Sequence, residues 1–223
     1  MNNTTKGKSL KLITTATITA FAALLLAGCG TTTGYKRADK TGAGIAEFRE
    51  EVAKASAAVN DTVKALDEVA VTADTNPRKA FERYSKSLSN LESAADKARK
   101  RAKEMREQGQ AYFATWEKQM EQVQNPEIRA LAEKRRTELQ ATFDNIKKYT
   151  EPLKAQFDPW LSDLRDLRTY LGNDLTVTGV DAAKKLFART QSEGIEVQKS
   201  MDALVAELNT VAATLTPASG KAK

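Results

Sequence analysis

Cys29 is the only cysteine in this 223-residue chain, and there is no histidine to work with it. One thiol closes no internal disulfide. Without histidine, the usual partner of a nucleophilic thiol or of a zinc ligand is missing. The same absence excludes histidine-based acid–base catalysis and the Glu-x-x-His di-metal sites that helical bundles carry. Carboxylates do pair, as at Asp163 and Asp166, but Arg165 and Arg168 alternate with them. That pattern reads as a solvated, salt-bridged face. The densest charge run, DKARKRAKEMRE from Asp96 to Glu107, is equally mixed in sign. Its cations are interrupted by Asp96, Glu104 and Glu107, so an ordinary wet face is favoured over an anionic-lipid surface. No glycine-rich phosphate loop follows a strand, because no strand pattern occurs. Catalytic residues, metal ligands and cofactors are therefore assigned nowhere, and the chain is expected not to be an enzyme.

What surrounds Cys29 gives it another role. Lys6, Lys8 and Lys11 form a basic flank without an acid, and an apolar stretch from Leu12 to Ala27 ends in Leu26-Ala27-Gly28-Cys29. A positive flank, a short apolar core and small residues before the cut make a signal peptide. The core is shorter than the roughly 20 residues that a spanning helix needs. LAGC resembles the lipobox of bacterial lipoproteins. The resemblance implies cleavage between Gly28 and Cys29, acylation of Cys29 with palmitate-type chains, and a membrane anchor. Gly30 after the cysteine implies the outer membrane, with the protein facing the periplasm. Cleavage also changes the charge. The chain carries 35 basic and 29 acidic residues, a net of +6. The leader takes three lysines with it, leaving 32 basic residues and a net of +3. A nucleic-acid footprint needs a basic face without compensating acids, so that partner is excluded.

Four segments must position anything that binds. Residues 1–28 are the leader, and residues 29–41 read as the lipidated cysteine and a flexible Gly/Thr-rich tether. From 42 to 216, apolar residues recur at three- and four-residue steps over helices near 43–74, 77–123, 127–172 and 179–216. Asn76-Pro77 and Asn125-Pro126 separate the first three, each a cap followed by a proline suited to the first helical position. Pro152 and Pro159 are expected to bend the third. Residues 217–223 read as a disordered tail. A sustained a/d repeat with short breakers predicts an all-α fold, an elongated antiparallel four-helix coiled-coil bundle running up-down-up-down.

Two features of the second helix bear on binding. Because the first helix reads as shorter, the stretch after Gly109 is expected to project past it. Tyr112 and Trp116 then line the best candidate for a partner or ligand groove, with Trp160 a further candidate. The second feature is a run of small seam residues, Ala95, Ala98, Ala102 and Gly109. It is expected to pack tightly against Phe143, Ile146 and Tyr149 on the third helix.

YFATWEKQMEQVQNPEIRALAEKRRTEL, with PLKAQFDPWLSDLRDLRTYLGNDL after it, resembles a bacterial family known only as domain of unknown function 2959. The matching tokens are Phe113 to Glu117, Asp158-Pro159, and the run up to Asn173-Asp174. The resemblance implies an exported helical protein and supplies no activity. The expected function is a non-enzymatic structural or interaction module that contacts another envelope protein or a second copy of itself. A carrier or sensor of a lipid or other apolar ligand is the alternative. Attachment to peptidoglycan through Lys221 or Lys223 is disfavoured, because an up-down topology returns the C-terminus toward the membrane.

Overall fold

The computed structural model describes residues 33–215. The leader, Gly28, Cys29 and the 217–223 tail lie outside the described residues. Five helices follow in order: α1 Gly34–Val71, α2 Pro77–Met120, α3 Pro126–Asn173, α4 Val177–Ala182 and α5 Lys184–Leu215. No strand occurs among the described residues. None of these helices is long and apolar enough to cross a membrane.

The three-four repeat forms the core. Ile45, Val59, Leu66, Leu88, Leu91 and Leu164 are among its fully buried members. Asn125 caps α3 through its side-chain oxygen, which accepts from the backbone N–H groups of Glu127 and Ile128 at 2.9 and 3.2 Å. Asn76 precedes Pro77 in the same way but makes no side-chain cap. The two Asn-Pro pairs therefore share a sequence device and only one shares its hydrogen bonds. α3 continues as helix through both Pro152 and Pro159. The fourth predicted helix is two: Thr176 caps the short α4 through Gly179 N–H at 3.1 Å, and the chain breaks step at Ala183 before α5. Val180, Ala183 and Phe187 stay buried across that break, so the seam survives it.

The helices form an antiparallel, up-down-up-down bundle in which α1 packs on α2 and α5, and α3 on α5 and α2. The α1–α5 pairing shows its register in three polar bridges. Arg49 meets Asn209, Ser56 meets Asp202, and Asp67 meets Gln191. Each step up α1 equals the step down α5, so the register never slips. The α2–α3 pair is the most sparsely packed of the four.

Three expectations need correction. Helix α1 begins at Gly34, inside the stretch read as tether. Ala38, Thr41, Gly44 and Ile45 are all buried, continuing the α1 seam backwards through the Gly/Thr-rich segment. Consequently α1 covers α2 as far as Gln119, whose side-chain oxygen accepts from Arg37 Nη2 at 2.5 Å. The second correction concerns α3. Ile128 and Leu131, which the three-four spacing of the third helix places in its apolar repeat, and Tyr149, expected against the alanine run, are exposed by 52, 69 and 37 %. The Ser200–Gln156 bridge fixes how far α5 reaches along α3, and Leu215 comes level only with the region of Leu139. The first turns of α3 thus have no α5 residue among the described ones to cover them. The third correction, to the alanine run, concerns the cleft described next.

Candidate ligand cleft

Gly109 behaves as the small-residue reading expects. A Cβ there would lie within 2.7–2.8 Å of the Phe143 ring carbons Cε1 and Cε2, so only glycine lets α3 approach this closely. Ala95, Ala98 and Ala102 do not behave so. They line an open cleft of about 1040 Å³ between α2 and α3. The alanines offer no side-chain bulk to fill the gap, and α3 does not move in to close it.

The cleft reaches through the α2–α3 gap into the core. Its floor is Phe48, Val52 and Ala55 from α1 with Met201 and Leu204 from α5. Met105 and Phe113 on α2, with Ile146, Leu153 and Phe157 on α3, make the walls apolar. It runs from Ala95 to Glu117 on α2, 22 residue steps, and from Arg136 to Asp158 on α3. At 1.5 Å per residue its length is about 33 Å. Small-molecule pockets generally hold about 300–1,000 Å³, so its volume is at the upper end of that range.

Charge is distributed unevenly along the rim. At one end Arg99 Nη2 pairs with Asp158 at 2.7 Å and the guanidinium lies 5.6 Å from the centre of the Phe157 ring. At the other, Arg136 bridges Glu133 at 2.8 Å and approaches Glu117 at 4.0 Å. Hydrogen bonding to Glu133 is the chief cause that holds the Arg136 guanidinium above its usual range. Between the ends lie four cations, Lys103, Arg106, Lys147 and Lys154, against two acids, Asp144 and Glu151. Lys103 leans to Glu107 at 3.9 Å. The other three cations make no ion pair among the described residues.

The residues singled out from sequence lie beside this cleft rather than in it. Tyr112 is 7 % exposed and stacks edge-on with Phe113 at 5.0 Å and Trp116 at 5.7 Å. Because α1 reaches Gln119, Tyr112 is core filling, Trp116 is half-buried against it, and of the three rings only Phe113 lines the cleft. Trp160 is 2 % exposed, and its indole N–H donates to the Thr190 carbonyl at 2.8 Å. Gly109 is closed over by Phe143. Of the carboxylate pair, Asp163 is held by Arg189 of α5 at 2.5 Å, while Arg165 turns to Glu92 at 2.6 Å. The Asp96–Glu107 run is laced with ion pairs such as Arg101–Glu104 at 2.7 Å, and only Arg106 faces the cleft without one.

One buried phenol gives the bundle a pH signature. Tyr84 is fully buried, and its hydroxyl donates to the Leu164 carbonyl at 2.6 Å. Burial pushes this phenol up, Arg168 opposes the shift, and Glu92 adds to it. In the unfolded chain a tyrosine ionises near about 10. The stability that neutral Tyr84 contributes is therefore complete below that pH and is lost as pH rises toward its folded value. Tyr84→Phe is expected to cost about 1 kcal/mol at pH 8 and to flatten the alkaline limb of the melting-temperature profile. Thermal melts at pH 8 and pH 11 check this, and equal alkaline losses in both proteins would contradict it.

The family model described as protein of unknown function (DUF2959) matches residues 30–215. No curated protein and no solved structure matches the chain.

Proposed function

The chain belongs to the DUF2959 family of proteins of unknown function, and from that premise we propose that it is a non-enzymatic envelope lipoprotein whose bundle carries an apolar ligand. Cys29 anchors it by acyl chains, in the outer membrane and facing the periplasm, as the LAGC motif and Gly30 imply. The observation that supports the carrier reading is the α2–α3 cleft, which is lined by side chains of all four long helices along about 33 Å. Ala98 and Ala102 on α2 and Leu153 on α3 are the half-buried apolar residues through which solvent reaches it.

The volume, about 1040 Å³, lies at the upper end of the range for small-molecule sites, which favours a ligand over a partner helix. An acyl chain is about 4–5 Å across if carbons pack at 3.5–4.0 Å, a shape suited to lying lengthwise between α2 and α3. Native mass spectrometry of protein gently extracted from bacterial envelopes tests the reading. A retained non-covalent mass of lipid size is expected. Bare protein throughout, together with co-purification of a stoichiometric protein partner, would favour the interaction module instead.

A further inference from the structure

The cleft is not uniform, and its asymmetry says which amphiphile fits. Gly109 and Phe143 are in tight contact and narrow the half toward Glu117. The other half is lined on α2 by the small side chains of Ala102, Ala98 and Ala95 and on α3 by Leu153 and Phe157. Where the two halves meet, the antiparallel register places Arg106 opposite Lys147. Gly109 touches Phe143 on one side of that point, and Arg99 meets Asp158 on the other. Arg106 and Lys147 line the cleft, both are exposed, and neither makes an ion pair among the described residues. The acids nearest to them on the rim are Asp144 and Glu151, each on a neighbouring turn of α3 and each unpaired as well, with Glu107 committed to Lys103. Lys154 adds a further cation one to two turns along α3.

We propose that the cleft binds a long-chain fatty acid, with its carboxylate between Arg106 and Lys147 and its tail along the alanine-lined half. This rests on the carrier reading above and deepens it. From Arg106 to Ala95 is 11 residue steps, about 16 Å of wall. A zigzag chain of 1.5 Å bonds advances about 1.25 Å per carbon, so that wall accommodates roughly 12–13 methylenes. The alanines leave the tail its width, the aromatic wall at Phe157 ends it, and the cations hold the head at the solvent edge.

Displacement of a fluorescent fatty acid from the full-length protein by saturated fatty acids of 8 to 18 carbons, and by the matching primary alcohols, tests this. Affinity for the acids is expected to tighten about fourfold per added methylene and to level off near 13–14 carbons, where the wall ends. Arg106→Gln with Lys147→Gln is expected to weaken the acids about tenfold and to leave the alcohols unchanged. Ala98→Phe, which fills the tail channel from a half-buried position, is expected to abolish displacement by both series. Circular dichroism melts show that each variant is folded. Acids and alcohols binding equally well, with no response to the double charge variant, would overturn the head-group assignment and leave the carrier reading standing. No displacement by either series from the wild-type protein would overturn both.

Discussion

Trp160→Ala is expected to destabilise the bundle by about 3–5 kcal/mol, the range for deleting a fully buried tryptophan. A domain of this kind has roughly 5–15 kcal/mol in total, so the variant stands close to unfolding at ordinary temperature. The indole is 2 % exposed and packs with the Phe157 ring at 5.8 Å. Gly194 on α5 makes its space. A Cβ at that position would meet Trp160 Cζ2 at 3.1 Å and Val63 Cγ2 at 2.7 Å. The chain has therefore given up a side chain on α5 to seat the ring, and Gly194 has none with which to fill the void that the ring's loss would leave. The indole N–H also ties α3 to α5 through the Thr190 carbonyl. Trp160→Phe keeps most of the ring volume and loses that bond, so about 1–2 kcal/mol is expected. Urea denaturation with an unchanged m-value checks both. A loss below about 1 kcal/mol for the alanine variant would mean that the ring does not fill core volume.

The prediction for Trp160 shows what was legible in the sequence and what was not. That Trp160 belongs to the α3 seam followed from its spacing with Phe157 and Leu164. Whether a seam aromatic lines a groove or fills a core depends on the facing helix, and here the decisive residue is Gly194, 34 positions away. The bundle itself was plain, because three-four alternation over many turns admits only helices packed on a seam. The start of α1 was hidden because the Thr/Gly composition of residues 30–44 signals a breaker, while the weaker 38-41-45 spacing signals helix. Burial against α2 decided for the spacing. That single change of length moved the open site. With α1 covering Tyr112, that ring joins the core, and the half-buried Ala98 and Ala102 line the cleft instead. Small residues on one helix are compatible with close packing or with an open cleft. Gly109 took the first outcome and Ala98 the second, and nothing local to α2 distinguishes them.

Cys29→Ser is expected to produce the largest change in where the protein is found. The LAGC motif needs a thiol, since acylation on sulfur precedes cleavage after Gly28 in the lipoproteins it resembles. The serine variant is expected to remain as a precursor larger by the leader and to incorporate no palmitate analogue, where the parent protein is mature and labelled. The size of the effect follows from the anchor. Each buried methylene contributes about 0.8 kcal/mol, one acyl chain holds a protein only marginally, and two or more hold it almost irreversibly. None of helices α1 to α5 is able to substitute by spanning the bilayer. Carbonate-washed membranes should retain the parent protein, and a serine variant whose leader is also deleted should be entirely in the soluble fraction. The bundle of that second variant is expected to keep its melting temperature, because the core begins at Ala38, nine residues beyond the cysteine. Processing, labelling and membrane retention that survive Cys29→Ser would remove the anchor from the proposed function. They would leave the α2–α3 cleft to be tested alone.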